Sequence, residues 1–184
     1  MKYIKFIFLI VMAVLVGVNI SCERDDICPA TTSTTPRLII DLYDTANQLN
    51  RKNVFGLVVV GVDNNTILPG FQITSTNKLL LPLRTDANQT QYRLRKDSKV
   101  NDNGTPNDTS DDFIDPNQGN EDIITINYVR EEVFVSRACG YKTIFNSITL
   151  TIEDDGNNWI LARQPLLDNQ PLENETTTHF NIFH

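Results

Sequence analysis

Apolar and polar residues alternate with a period of two over most of this chain, in short runs bounded by turn-forming residues. That is the pattern of strands with one buried face. Leu38, Ile40 and Leu42 alternate with Ile39, Asp41 and Tyr43, and residues 54–62 are apolar almost throughout, as a central strand would be. Residues 71–73 and 79–83 read as further strands, with Pro82 pushing the second towards a sheet edge or bulge. Tyr92 and Leu94 alternate with Arg93 and Arg95; Ile124, Ile126 and Tyr128 alternate with Thr125 and Asn127. Residues 133–136 and the clean alternation of Ile148, Leu150 and Ile152 add two more. Residues 154–158 then form a predicted hairpin turn around Gly156, with residues 159–161 as the returning strand. Residues 179–183 close the pattern as a terminal strand. Only residues 45–49 have helical character, in a run too short to matter. Eight or nine short strands predict an all-β fold, a single β-sandwich of immunoglobulin-like or related topology, with a small barrel as the alternative.

Residues 97–122 interrupt the alternation with Asp, Asn, Gly, Ser and Thr and few apolar residues, which predicts a long acidic loop. Its run Asn101-Asp102-Asn103-Gly104, followed by Asn107-Asp108, resembles a calcium loop, with Asp102, Asn103 and Asp108 as the candidate ligands. The match is incomplete, because the first ligand position falls on Lys99 and no bidentate glutamate follows. A solvated acidic loop is the simpler reading.

The first residues follow a different rule. Met1-Lys-Tyr-Ile-Lys precedes an apolar run over residues 6–18, then Asn19-Ile20-Ser21-Cys22. A basic start, an apolar stretch and a small residue before cysteine describe an export signal over residues 1–21. Cys22 resembles the acylated residue of a bacterial lipobox, although Asn19 stands where Leu is usual. Acyl chains contribute about 0.8 kcal/mol per buried methylene, and more than one chain gives stable anchoring. Glu23, Asp25 and Asp26 resemble the surface-export signal of Bacteroidota lipoproteins. Residues 22–36 form the lipidated N-terminus and a Thr-rich linker, and residues 37–184 the β-sandwich domain with its acidic loop.

The net charge of −7 becomes −9 once the two lysines of residues 1–21 are removed. An acidic domain without a basic cluster excludes nucleic acid as a partner. With Cys22 acylated, Cys28 and Cys139 remain as a pair for an oxidising compartment, either bonded or as two buried thiols. A bond would close a loop of about 110 residues, worth about 4–5 kcal/mol in the chain-entropy account.

Catalytic chemistry finds little support. His179 and His184 are the only histidines and read as surface residues. No nucleophile elbow, phosphate loop or zinc spacing occurs, and no cofactor is implied. A hydrolase would need carboxylates gathered from several strands, with Asp41, Glu131 and Glu153 as candidates. A glycan platform would need exposed aromatics near Trp159, such as Tyr128, Tyr141 and Phe145, but core packing suits Trp159 better. Alternation makes one of Trp159 and Ile160 core-facing and the other exposed. Arg137 could pair with the acidic residues after Cys22 if the two remaining cysteines are bonded. Asp44-Thr45-Ala46 fits a short O-glycosylation pattern reported in Bacteroidota.

Three segments carry a family resemblance. The run from Cys22 to Cys28, the linker into Pro36-Arg37-Leu38-Ile39-Ile40, and residues 133–141 resemble a Bacteroidota lipoprotein family, domain of unknown function 6452. The resemblance covers most of the mature chain and implies a lipidated envelope protein. It brings no activity, ligand or catalytic residue, and residues 101–122 look like a local elaboration. The expected protein is therefore a non-enzymatic binding or accessory module, lipid-anchored at the outer membrane or cell surface, with the membrane and another envelope protein as partners. A glycan or small-ligand binder is the alternative. Cys22→Ser is expected to abolish palmitate incorporation and move the exported protein wholly into the aqueous phase on detergent partitioning.

Overall fold

Strands form where the alternating runs put every second side chain against a common core, and the register across neighbours keeps those side chains in one row. The structure, a computed structural model, describes residues 27–32, 34–166 and 171–184. The export signal, Cys22 and the acidic residues after it lie outside the described residues. The chain divides by its internal contacts into a smaller unit, Met1–Thr32 with Phe134–Tyr141, and a larger one, Ser33–Val133 with Lys142–His184.

The described residues contain twelve strands and no helix. They are β1 (Leu38–Tyr43), β2 (Val54–Gly61), β3 (Thr66–Ile67), β4 (Thr74–Thr76), β5 (Lys78–Leu81) and β6 (Gln89–Lys96). There follow β7 (Val100–Asn101), β8 (Phe113–Ile114), β9 (Asn120–Ser136), β10 (Gly140–Ile152), β11 (Ala162–Pro165) and β12 (Phe180–Phe183). The sheets are open, in the orders β11-β12-β1-β5 and β10-β9-β6-β2-β3, with β4 also pairing β2 and a small β7-β8 ladder. The expected all-β class is therefore what the chain adopts, without the closure a barrel would need.

Register explains the core. In the four-stranded sheet β12 runs parallel to β1, with Ile40 opposite Phe180 and Leu42 opposite Ile182. β5 runs antiparallel to β1, with Leu38 opposite Leu81 and Ile40 opposite Leu79. All seven side chains are buried in one hydrophobic cluster. In the larger sheet Leu94 faces Val59 on one side and Asp122 on the other, while Tyr92 faces Ile124 and Thr90 faces Ile126. Val59, Tyr92, Leu94, Ile124 and Ile126 join the same cluster. At about 25 cal/mol per Å² of apolar surface removed from water, this shared cluster is the main stabilising element. β5 is the sheet edge that Pro82 predicts, and the strand stops one residue before it.

One polar residue sits among these apolar ones. Asp122 is 1% exposed, and its carboxylate accepts the backbone N–H of Trp159 at 3.2 Å and of Ile160 at 2.7 Å. The Trp159 indole donates to the carbonyl of Leu94 at 3.0 Å. Here the chain leaves β10 of the larger sheet and joins β11 of the other, so residues 154–158 are a crossover and not the expected hairpin turn. It also corrects the expected alternation. Trp159 and Ile160 are both buried, because Asp122 holds both their amides, and Leu161 is the exposed one.

Other departures are local. Residues 45–49 form a turn closed by Asp44 and Asn50, not a helical segment. Residues 71–73 form no strand, although Phe71 is buried; Ile73 has a positive φ of 50°. Residues 133–136 continue β9 instead of forming a separate strand. The acidic loop is shorter than predicted. Ser98 and Asp122 are buried at its two ends, and Gly119 closes it with φ +92° where a Cβ would lie 2.2 Å from the Lys96 carbonyl.

Replacing Asp122 leaves two buried amides without their acceptor, and hydrogen bonds to charged groups contribute about 1.5–3 kcal/mol each. Asp122→Ala is expected to lower the unfolding free energy by about 3 kcal/mol in urea titration. Asp122→Asn, which keeps one acceptor oxygen, costs less.

Candidate functional site

Two places combine exposed surface with unusual chemistry, one in each unit. In the smaller unit β9 and β10 meet in a tight turn at residues 137–139, with Gly140 at φ +69°. The Cys139 amide donates to the Ser136 hydroxyl at 3.0 Å, and the Cys139 sulfur is bonded to that of Cys28. The cysteine pairing read from the sequence thus exists, across 111 residues of chain. A groove of about 530 Å³ runs along this turn, lined by Ile27, Pro29, Thr32 and residues 135–139. Phe134 and Tyr141 flank the turn as an edge-to-face pair with ring centres 5.4 Å apart. Both rings are exposed, at 57% and 67%, and Ile27 is 80% exposed.

In the larger unit an open cleft of about 450 Å³ lies between the β2–β3 turn, residues 82–84 and β6. Leu68, Pro69, Leu83 and Tyr92 give it an apolar lining. Arg84 supplies its strongest charge, and the neighbours of Arg84 already occupy it. The guanidinium donates to Asp63 at 2.6 Å and to both oxygens of Asp86 at 2.9 and 2.8 Å. Hydrogen bonds from Arg84 hold the Asp86 carboxyl down at about 2, while the same contacts raise the guanidinium further above its ordinary range. Burial pushes the Tyr92 phenol well up, and that phenol donates to the Pro82 carbonyl. Thr90 and Tyr128 share a hydrogen bond of 2.6 Å behind the wall. A guanidinium held between two carboxylates beside a buried phenol can orient a neutral polar ligand. It lacks a free cation for an anion and a poised base for proton transfer.

The remaining sequence candidates are dispersed. Asp102 and Asp108 accept backbone amides of their own loop, from Gly104 at 3.1 Å and Ser110 at 3.0 Å. Asn103 donates to Asp111. No group of three or more His, Cys, Asp or Glu gathers as a metal site among the described residues. Asp41 is buried in β1 with Arg51, Thr178 and Lys78 around it. Glu153 donates its amide to the Ile123 carbonyl, and Glu131 lies eight residues further along β9, about 26 Å away at the usual strand rise. These three carboxylates do not converge. The aromatic platform does not form either: Trp159, Tyr128 and Phe145 are core residues, the last two edge-to-face at 4.9 Å. The acidic partners suggested for Arg137 lie outside the described residues.

His179 corrects the surface reading. It is 8% exposed, because its amide bonds to the Ile39 carbonyl and its own carbonyl accepts from Leu166, which seats it in the sheet. Its Nδ1 has no partner. His184 is half-buried against the Trp159 ring, 5.7 Å between centres. The exposed Phe134–Tyr141 pair and the Arg84 cleft went unread in the sequence. The only signal for the first was an aromatic on each side of a Cys-Gly turn.

An all-β chain with open sheets and a disulfide-fastened hairpin is the class of protein this defines. Residues 56–184 match the family of unknown function DUF6452, and the chain belongs to that family. The matched span includes residues 133–141 and begins beyond the other two resembling segments. No curated protein and no solved structure matches the chain.

Burial lowers the pKa of His179 and of His184 below the ordinary 6.5. A depressed folded value means the stabilising neutral form is fully present above about pH 6.5 and is lost as pH falls through the folded value. The urea midpoint is therefore expected to fall between pH 7 and pH 5, and His179→Gln to flatten that fall.

Proposed function

We propose that this protein is a non-enzymatic binding or accessory module, held at the outer membrane or cell surface by acylated Cys22, whose β-sheets form the two layers of an immunoglobulin-like or related sandwich. The carrying observation is the Cys28–Cys139 bond. It fastens the chain, six residues beyond the proposed lipidation site, to the turn of the β9–β10 hairpin. A tethered module of this kind needs a short, covalently fixed connection more than it needs a catalytic centre. The shared core of the two sheets supports the sandwich, since both contribute their inward rows to one hydrophobic cluster. The dispersal of Asp41, Glu131 and Glu153 favours binding over hydrolysis.

The cleft beside Arg84 favours a second reading, a binder of a neutral polar ligand such as a glycan. Its volume of about 450 Å³ and apolar lining with few polar groups suit a small molecule. The two readings separate in one experiment. Photo-crosslinking residues placed at Gln91 in the cleft and at Arg137 on the hairpin are activated in intact cells producing the full chain. The accessory reading expects one recurrent envelope-protein adduct, lost when Cys22→Ser releases the protein. Absence of any reproducible adduct counts against it, and saturable glycan binding abolished by Leu83→Glu moves the assignment to the second reading.

A further inference from the structure

We propose that the disulfide-fastened hairpin tip is itself a membrane-docking surface, with Ile27, Phe134 and Tyr141 entering the headgroup layer of the bilayer that holds Cys22. The inference rests on the reading that Cys22 carries lipid. Its independent support is where the exposed apolar side chains lie. The smaller unit contributes only residues 27–32 and 134–141 to the described structure, yet it holds three of the ten large hydrophobic side chains exposed among the described residues. Two of the three are aromatic, and they brace each other edge-to-face on adjoining strands. Phe buries an apolar ring, and Tyr presents an apolar body with a phenol that stays wet, the combination that suits a membrane–water boundary. Arg137, in the turn between the two strands, lines the groove beside Ile27, Pro29 and Thr32 and brings a long apolar stem with a cationic head.

Tether length selects the occupant. Cys28 lies six positions after Cys22, and a fully extended chain spans at most about 3.3–3.6 Å per residue, so the tip stays within about 20 Å of the acylated residue. Without the bond, the first strand residue to constrain the chain would be Leu38, sixteen residues beyond Cys22, with a reach of about 55 Å. The headgroup region on each side of a bilayer is about 5–8 Å thick. The bond thus converts a loose tether into one that keeps the aromatic pair beside the lipid surface. Glu23, Asp25 and Asp26 outnumber Arg24 in the connecting segment, which disfavours an anionic surface and points to zwitterionic lipid.

The test uses the full lipidated chain with Phe134→Trp in vesicles of phosphatidylcholine and phosphatidylethanolamine carrying brominated acyl chains. Native Trp159 is 4% exposed, and wild-type emission provides the baseline. Docking to the depth of an interfacial residue is expected to quench about half of the added emission and shift it to the blue. Two longer tethers are expected to lose most of that quenching while the protein still floats with the vesicles. One is Cys28→Ser with Cys139→Ser; the other inserts about twelve Gly-Ser residues before Cys28 and keeps the bond. Flotation with no quenching of the introduced indole overturns the docking surface and leaves the anchor intact. Quenching that persists unchanged in both longer tethers overturns the role given to the disulfide. Failure to float overturns the anchored reading, and this inference with it.

Discussion

A buried carboxylate decides how the two sheets of the larger unit are joined. Asp122 occupies an inward position on β9 opposite Leu94, with Ile124 and Tyr92 next to it on the same face, all three in the hydrophobic cluster. A lone ionised group there would be expensive to bury. Both oxygens are engaged, by the amides of Trp159 and Ile160, at the point where the chain crosses from the six-stranded sheet to the four-stranded one. Burial still pushes the Asp122 carboxyl up, against the downward pull of those two amides. The polar contact fixes where the crossover sits, and the crossover fixes where Trp159 enters the core. From there the indole reaches the Leu94 carbonyl, and the same ring receives His184 edge-on. One carboxylate thereby orders residues from β6, β9, the crossover and the end of β12.

The smaller unit obtains its order differently. Its described residues include none of the members of the hydrophobic cluster, and a covalent bond holds them together instead. That division lets the larger unit bury its apolar residues against one another, while the hairpin tip leaves Phe134 and Tyr141 exposed without endangering the core.

Period-two alternation was a sound guide where one strand face entered the core, as for Ile124, Ile126 and Tyr128, but in β1 both faces are buried, Ile39 and Asp41 as well as Leu38, Ile40 and Leu42. It failed where burial is decided by a distant partner. Trp159 and Ile160 look like successive residues on opposite faces of a strand, yet a side chain 37 residues earlier binds both amides and buries both. His179 looks like a surface residue, yet its backbone is claimed by Ile39 and Leu166, and the sheet position overrides the polarity of the ring. Phe71 is buried from an irregular segment, which no alternation can announce. Cys28 and Cys139 could be paired by cysteine arithmetic because the count left two partners. The Arg84 cleft could not, since Asp63, Asp86 and Tyr92 come together only through the pairing of β2 with β6 and the turns beside them.

The parallel pairing of β1 with β12 carries a kinetic consequence. Ile40 sits beside Phe180, 140 positions later in the chain, and β12 is an interior strand of its sheet. Contacts this remote in sequence form late, because the loop they close must lose its entropy before they repay it. During synthesis β1 therefore waits with an unpaired edge until nearly the whole β-region has emerged. The four-stranded sheet reaches its final order only after β12 has arrived, and until then the free edge of β1 is a template for wrong pairing.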